Sequence, residues 1–469
     1  MSEVKDWILN PIRHPDRFGT DIKEFGGKKR LYYGIVISTD EGKVLPSLYD
    51  GVEWRFGEDE LKALGFNFSK DFTLAEETWE RNRLYHHLST PSKVKTTQEL
   101  MEYFVKINKE MIWYDDEITH YIVGAYLLAS YMYPAFSHFP RMVFLGLAGS
   151  GKSTQTDLMS TLALNPITSA DASKSFLFRM VEQTAGLVCI DNFDNISEDA
   201  QKDMVQLFDT SFEKGRAIGR TDDSGRTKTP RKWRTYCPMV VNCTSLAWLR
   251  QQSSKTRTIF VRMLTKTGKL ELRKLKTLPK DEIENFKHDC RLWALANWER
   301  ISALETDGFS NREFDIFRPI LTILKDAGPD KFEVGKNFLS KMAAEYQRDE
   351  PDVIDAEIVM AVWNLLCSSG KDTAITPKEI AKEILMEREV SPTDTDGRAN
   401  RLYDRELADL FRNKIPVCVK SLPIEKITHP NNKTTYHFNF SKYIRFMKAR
   451  NYDVGEYAKS LNNMLEGLD

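Results

Sequence analysis

The sequence predicts an α/β protein whose parallel sheet surrounds a glycine-rich loop. An apolar stretch, RMVFLG, runs directly into LAGSGKST, as a buried strand runs into a loop and then a helix. Helical and strand-like segments then alternate as far as Met263, which is typical of a parallel sheet with crossover helices. A small β-rich region precedes this core, and mainly helical segments follow it.

Composition and charge are those of a soluble protein of several domains. The chain has 469 residues, of which 41% are hydrophobic and 29% charged, and its net charge is −1. A nearly neutral chain carries no overall nucleic-acid footprint, so any such surface has to be local. The six cysteines form no C-x-x-C pair, which disfavours a zinc ribbon and indicates reduced thiols.

No segment predicts export or membrane insertion. The N-terminus lacks the apolar stretch of a secretory signal. The most apolar run, from Tyr121 to Phe136, is short and interrupted by Pro134, so it predicts a buried helix and not a membrane span. We therefore expect a cytoplasmic protein without a membrane anchor.

The pattern divides the chain into five regions. KRLYYGIVIS and VEWRFG predict strands near the N-terminus, whereas helical periodicity begins at Thr96 and dominates again after the core. The predicted regions are a β-rich accessory domain (residues 1–95), a helical linker or collar (96–140), the α/β core (141–269), a helical lid (270–370) and a C-terminal domain (371–469).

The C-terminal region predicts a winged helix-turn-helix. Thr376, Pro377 and Glu379 form a capping box before one helix, a second helix surrounds RLYDRELADLF, and two strands flank PNNK. The basic residues of the second helix and its surroundings are Arg398, Arg401, Arg405, Arg412, Lys414 and Lys420. Acidic residues dilute this charge, so contact with DNA and docking on neighbouring protein both remain open.

The loop after RMVFL fits the pattern G-x-x-x-x-G-K-[ST], which binds phosphates. Its glycines turn backbone N–H groups inward, and the following helix adds its positive end. The predicted binding residues are Gly146, Leu147, Ala148, Gly149, Ser150, Gly151, Lys152, Ser153 and Thr154. Lys152 is expected to contact the β- and γ-phosphates of ATP, and Ser153 to bind Mg²⁺.

A second motif, GLVCIDNFDN, predicts a buried strand that delivers a carboxylate. Asp191 lies 39 positions after Lys152 and ends an apolar run typical of a central parallel strand. The prediction is that Asp191 completes the Mg²⁺ shell. The alternative is an aspartate that only caps the end of a buried strand.

Two later residues complete a candidate catalytic set. Asn242 ends the apolar run CPMVV, where its amide is predicted to hold the attacking water or contact the γ-phosphate. Arg257 follows a polar loop and precedes another strand, so it is a candidate arginine finger for the nucleotide of a neighbouring subunit. The alternative for Arg257 is a solvated side chain.

Between Asp191 and Asn242 lies a basic segment, KGRAIGRTDDSGRTKTPRKWR. It has eight basic and two acidic residues, and DDSG predicts a turn between two extended arms. We expect a hairpin that contacts DNA phosphates, with these contact residues: Arg220, Arg226, Lys228, Arg231 and Lys232. Trp233 is either a base-stacking residue or part of the core, and the alternative for the whole segment is a solvated loop.

Taken together, these motifs resemble the ATPase core of superfamily-3 helicases, which are AAA+ motors of viruses, phages and plasmids. The resemblance rests on GLAGSGKS, CIDNFDN, Asn242, the basic hairpin and Arg257, and it covers about residues 115–330. YMYPAFSHFP is similar to the corresponding stretch of phage and plasmid replication helicases. IDNFDN is also similar to a motif of the minichromosome-maintenance helicases.

The resemblance implies a function as well as a fold. It implies a hexameric ring that hydrolyses ATP with Mg²⁺ and draws single-stranded DNA, or one strand of a fork, through its pore. It implies replication of a mobile element or virus in the cytoplasm of a bacterial or archaeal host, with any primase or polymerase on another chain. It also makes Arg318 a candidate sensor-2 arginine of the lid, with Arg312 as its rival.

Asn192 departs from the family pattern, which has an acidic residue at this position. An amide can orient the attacking water but cannot accept its proton. Asp194 lies two residues further and is the candidate substitute.

Two other functions therefore stay open. One is an AAA+ initiator or sensor that binds ATP and DNA with little hydrolysis. The other is a small-molecule kinase, which also has a phosphate loop but is disfavoured by the extra domains.

Overall fold

The computed structural model describes residues 16–25, 27–38, 44–66, 79–169, 174–196, 198–222, 229–246, 248–249, 252–264, 272–306, 312–346, 356–393, 399–430 and 433–449. They form a mixed α/β structure around a parallel sheet of five strands. One continuous hydrophobic core runs from Leu31 to Met447 and joins all regions of the described chain.

The described part of the N-terminal region contains an antiparallel sheet of four strands. The elements are β1 (Thr20–Phe25), β2 (Lys28–Ser38), β3 (Val44–Tyr49), β4 (Trp54–Phe56) and the short helix α1 (Glu58–Ala63). Side chains alternate along β2, so Leu31 and Tyr33 join the main core, whereas Tyr32 packs with Leu61 of α1. Both faces of this sheet are therefore covered.

Three helices connect this sheet to the central sheet: α2 (Arg81–Ser89), α3 (Thr97–Met111) and α4 (Glu117–Ser130). A capping box starts α3, because Thr96 and Glu99 bond to each other's backbone N–H groups. Helix α4 is buried along most of its length, as its apolar sequence predicts. Within the described part of the chain, no helix is long and apolar enough to cross a membrane.

The central region alternates strands and helices. Its elements are, in chain order, β5 (Arg141–Leu145), α5 (Lys152–Leu162), β6 (Ile167–Ser169), α6 (Lys174–Thr184), β7 (Val188–Ile190), α7 (Glu198–Thr210), β8 (Ala217–Asp222), β9 (Thr229–Arg234), β10 (Met239–Cys243), α8 (Gln252–Lys255) and β11 (Thr258–Arg262). The sheet order is β11-β5-β10-β7-β6, with all neighbours parallel. Because β10 lies between β5 and β7, the carboxyl ends of these three strands are adjacent.

The helical region after the sheet packs on the connecting helices. It consists of α9 (Lys280–Ser302), α10 (Arg312–Ala327) and α11 (Pro329–Tyr346). The indole of Trp293 in α9 donates to Thr97 Oγ1 at 2.8 Å. A Cβ atom on Gly335 of α11 would lie 2.5 Å from Leu324 Cδ1, so glycine allows α10 and α11 to pack closely.

The C-terminal region combines helices with a small sheet. Its elements are α12 (Ala356–Ser369), β12 (Thr373–Ile375), α13 (Pro377–Glu387), α14 (Arg401–Asp409), α15 (Ile415–Cys418), β13 (Ile424–Thr428), β14 (Thr435–Phe438) and α16 (Phe440–Ala449). The predicted capping box at Thr376 and Glu379 is confirmed, as are the two predicted strands before and after PNNK. The sheet is antiparallel in the order β12-β14-β13.

Candidate active site

The glycine-rich loop joins β5 to α5, as the sequence predicts, and its shape depends on its glycines. Gly149 and Gly151 have φ values of 84° and 87°, in the left-handed region that side chains disfavour. A Cβ on Gly146 would lie 2.3 Å from the carbonyl oxygen of Met263 and 2.6 Å from Ser150 Oγ. Ala148 and Gly149 are exposed, whereas Leu147 is buried. The loop is therefore a compact backbone turn that no larger residue at Gly146 would permit.

Lys152 is buried within this loop at the first position of α5. Its Nζ donates to the carbonyl oxygens of Gly146 at 2.6 Å and Leu147 at 2.8 Å. Burial lowers the pKa of Lys152, and the nearby Cys243, Asp194 and Asp191 oppose that shift. The ammonium group thus lies in the field of both carboxylates of the IDNFDN motif.

The loop meets two requirements of a phosphate site. Ser150 Oγ is buried and, within the described residues, has no hydrogen-bond partner. The first N–H groups of a helix such as α5 also lack intrahelical partners and carry its positive end. A phosphate oxygen would satisfy these donors beside Lys152, while Ser153 and Thr154 occupy the next two positions of the helix.

Asp191 follows β7 directly, next to the end of β10. Its Oδ1 accepts a hydrogen bond from Asn242 Nδ2, and its Oδ2 accepts one from Asn192 Nδ2 at 3.1 Å. The described residues contain no cluster of three or more metal-ligating His, Cys, Asp or Glu side chains. The oxygen donors of Ser153 and Asp191 nevertheless suit Mg²⁺, which binds through one or two protein ligands together with substrate phosphates.

Asn192 adopts a left-handed backbone conformation, with φ 50° and ψ 52°. Its backbone N–H donates to Asn242 Oδ1 at 2.7 Å, and its side chain is exposed beside Asp191. Asparagine tolerates this conformation better than most residues. The local backbone therefore favours asparagine, aspartate or glycine over most other residues at this position.

Asn242 is fully buried and bridges three elements. Its Nδ2 donates to Asp191 and also to Thr156 Oγ1 at 2.9 Å, while its Oδ1 accepts from Asn192. Both amide protons are thus used. Thr156, which also donates to the carbonyl oxygen of Lys152 at 3.1 Å, was missed by the sequence analysis. The one available signal was its position four residues after Lys152 on the same helix face.

Asp194 lies in the turn after Asn192, and its carboxylate binds the loop that follows β10. Its Oδ2 accepts hydrogen bonds from the backbone N–H of Thr244 and, at 2.9 Å, from Thr244 Oγ1. The negative charge of Asp194 raises the pKa of Lys152, and it does so more than the negative charge of Asp191. Asp194 is therefore close to the loop but engaged in holding Thr244.

Arg257 precedes β11 and therefore lies at the amino end of the parallel strands, whereas the loop lies at their carboxyl end. Its guanidinium is half-buried and stacks 4.0 Å above the centroid of the Phe212 ring. The guanidinium of Arg141 also lies over the Phe212 ring, 5.4 Å from its centroid, and its complete burial lowers the pKa of Arg141 to about 9. The structure thus separates Arg257 from the Lys152 and Asp191 cluster of the same chain.

Arg318 lies between helices and not in the Lys152 cluster. Its Nη2 donates to the carbonyl oxygen of Ser302 at the end of α9, at 3.1 Å. Its Nε is buried without a hydrogen-bond partner in the described residues. Arg312 begins α10, but its side chain lies outside the described residues.

The predicted basic hairpin is present as β8 and β9, which pair from Ala217 with Arg234 to Asp222 with Thr229. The candidate DNA contacts Arg226 and Lys228 lie outside the described residues, as do the side chains of Arg220 and Arg231. Lys232 is exposed. Trp233 is 6% exposed and packs in the core, which favours its structural interpretation over base stacking.

In the C-terminal region, α14 presents Arg401 and Arg405 to solvent, and Arg412 is exposed just after the end of this helix. Lys414 is 3.7 Å from Asp409, so part of the local basic charge is compensated. Arg398 and the side chain of Lys420 lie outside the described residues.

Comparison with known proteins gives limited further information. No protein-family model matches the chain, and no curated protein matches it significantly. One solved structure similar to this chain is the active helicase Cch of SCCmec type IV, with a TM-score of 0.32 and 10% identity, covering 94% of this chain and 99% of that chain. A likeness of this size is too weak to establish a shared fold or activity.

Proposed function

We propose that this chain is an ATP-driven DNA helicase or translocase with a P-loop core of the superfamily-3 AAA+ type. The observation that carries the proposal is the meeting of three strand ends, where the loop after β5, Asp191 after β7 and Asn242 in β10 come together. In open α/β sheets, ligands bind at the carboxyl ends of strands where the order reverses. The site therefore supports ATP binding at this edge.

The residues of the loop are suited to hold ATP. Lys152 would exchange the carbonyl oxygens of Gly146 and Leu147 for the β- and γ-phosphates. Ser150 Oγ would gain the partner that it lacks among the described residues. Ser153 and Asp191 would hold Mg²⁺, which when bound would neutralise charge on the phosphates.

Hydrolysis by this arrangement is expected to be modest. Asn192 can orient a water molecule, and Asp194 would become available as a base only after it releases Thr244. Phosphoryl transfer depends mainly on positioning and charge stabilisation, so an amide at residue 192 is compatible with slow turnover. We propose that DNA binding raises the rate by favouring the released state of Asp194.

The position of Arg257 supports an oligomer. Since it lies at the amino edge of the sheet, it is directed away from its own loop and is suited to act on the nucleotide of a neighbour. We propose a hexameric ring with ATP between subunits. Arg318 would have to leave Ser302 to act as a sensor.

The β8–β9 hairpin supports a DNA substrate. The segment from Lys214 to Arg234, which contains the hairpin, carries a local net charge of +6, and Lys232 is exposed near the base of the hairpin. We propose that it binds the phosphates of single-stranded DNA in the pore. The C-terminal region fits a winged helix, because its helices are followed by the β13–β14 hairpin.

We further propose that the protein acts in replication of a mobile element or virus, with any primase or polymerase partner on another chain.

The test combines ATPase assays with subunit mixing. Wild type should hydrolyse Mg·ATP and be stimulated by oligo(dT), whereas Lys152→Ala and Arg257→Ala should each be inactive. A mixture of the two variants should regain activity, because some interfaces then join an intact loop to an intact Arg257. Lys255→Ala, two residues away on α8, is the matched control and should behave as wild type. Absence of hydrolysis in wild type, with or without DNA, would contradict the motor.

The second candidate is an AAA+ initiator or sensor that binds ATP and DNA with little hydrolysis. Asn192 favours it, because an amide cannot accept a proton from the attacking water and the left-handed backbone disfavours a glutamate at this position. Comparison of wild type with Asn192→Glu and Asp194→Ala separates the two functions. Nucleotide and DNA binding without hydrolysis above the Lys152→Ala level would support the sensor.

A further inference from the structure

The segment before β1 holds the base of the β8–β9 hairpin. The side chain of Arg17 is buried, with the residue only 5% exposed. Its Nη1 donates to Tyr236 O at 2.8 Å and to the Tyr133 hydroxyl at 3.1 Å. Its Nη2 donates to Arg234 O at 3.4 Å. One guanidinium thus joins the N-terminal segment to the strand that leaves the hairpin.

The backbone beside Arg17 is fitted against α6 without space for a side chain. Gly19 N donates to Gln183 O at 3.0 Å, and a Cβ on Gly19 would lie 1.8 Å from Thr184 O. The hydroxyl of Tyr32 in β2 donates to Arg17 O. The position of Arg17 is therefore determined by both the N-terminal sheet and the central region.

A second contact holds the same end of β9 from α6. Glu182, 4% exposed, accepts hydrogen bonds from Arg234 N and Arg234 Nε, both at 2.6 Å. Arg234 is thus bound through its side chain by Glu182 and through its carbonyl by Arg17. The contacts of Arg17 and Glu182 leave the base of the hairpin with little freedom to shift.

This base leads directly to the candidate catalytic residue of β10. Tyr236 precedes β10 by three residues, and Asn242 lies within that strand. Tyr236 is itself fixed, since its hydroxyl donates to Phe136 O at 2.7 Å. The hairpin and Asn242 are thus joined by a short segment, and Arg17 binds that segment at Arg234 and Tyr236.

We propose that Arg17 is a positioning residue that couples DNA held by the hairpin to ATP hydrolysis at the Asn242 site. The N-terminal sheet then serves as the support of the hairpin. This inference rests on the proposed function, because it assumes that the hairpin binds DNA. A buried guanidinium is costly unless its hydrogen bonds are well made, which makes its removal informative.

The experiment compares Arg17→Met with Arg30→Met, a control in β2 whose half-buried guanidinium is 3.1 Å from Asp50. Basal ATPase should stay near the wild-type rate in both. The oligo(dT)-dependent increase should fall about tenfold in Arg17→Met, as expected for loss of charged hydrogen bonds. A fluorophore on Lys232→Cys should show lower anisotropy in the Arg17→Met background. Arg17→Lys, which keeps the charge, should restore part of both signals.

Tyr133→Phe provides a milder change, because it removes only the hydroxyl that accepts from Arg17. It should reduce DNA stimulation in the same direction, even if Arg17→Met does not fold. Wild-type stimulation and wild-type anisotropy in Tyr133→Phe, or in a folded Arg17→Met, would overturn the inference. If wild type itself shows no DNA stimulation, the proposed function fails, while the anisotropy at residue 232 still decides whether Arg17 supports the hairpin.

Discussion

Replacing Asn192 by glutamate should destabilise this protein. The backbone at residue 192 has φ 50° and ψ 52°. For a residue without a short polar side chain this conformation costs about 1 kcal/mol. The variant also loses the exposed hydrogen bond to Asp191 Oδ2 at 3.1 Å, worth about 0.5 kcal/mol. It places a like charge beside Asp191, which adds about another 0.5 kcal/mol.

We therefore expect Asn192→Glu to lower the free energy of unfolding by about 2 kcal/mol. Urea denaturation followed by circular dichroism, without nucleotide, measures this change. Asn192→Gly is the control for conformation, because glycine adopts the left-handed region freely and loses only the hydrogen bond. Asn192→Asp is the control for charge, since aspartate also tolerates this backbone.

The expected order of stability is wild type close to Asn192→Gly, then Asn192→Asp, then Asn192→Glu. If Asn192→Glu unfolds at the same urea concentration as wild type, the left-handed backbone does not constrain residue 192. Lower stability of the glycine variant than of the glutamate variant would refute the reasoning in the same way.

Three further predictions follow from the described contacts. Asn242→Ala leaves three groups without their hydrogen-bond partner, so the free energy of unfolding should fall by about 3 kcal/mol in urea denaturation. A loss below about 1 kcal/mol would contradict the role of Asn242 in joining these elements. Burial lowers the pKa of His120 and of His288 to about 4, so the stability of the folded state should be full above pH 6.5 and decline as pH falls towards 4, and His120→Asn should flatten this decline. Phe212→Leu removes the ring under Arg257 and should reduce the activity regained in subunit mixing while ATP binding, measured by fluorescent nucleotide, is unchanged.

Local patterns predicted much of the fold. The strand before Gly146, the hairpin arms and the capping box at Thr376 each depend on residues close in sequence, and each is present. Their signals are apolar periodicity, turn residues and side-chain to backbone bonds within one turn. The order of Lys152, Asp191 and Asn242 likewise predicted neighbouring strand ends.

Contacts between distant segments were not predictable in this way. The bond from Asn242 to Thr156 spans 86 positions, and that from Arg17 to Tyr236 spans 219. Nor did the sequence indicate that Asp194 would hold Thr244, because that depends on how two loops meet above the sheet. Local sequence patterns do not show which distant residues meet. The contacts of these side chains could therefore be identified only in the three-dimensional structure.

The hydrogen bonds of the Asn242 amide limit how this residue can respond to a bound ligand. With both protons donated, to Thr156 and Asp191, the nitrogen has nothing left to offer an arriving phosphate oxygen or water. Contact with a new acceptor must therefore be an exchange, in which either α5 or the strand end carrying Asp191 is released. A ligand that engages this nitrogen would loosen one of two neighbouring elements, and the choice between them would determine whether the change spreads towards the phosphate loop or towards Asn192.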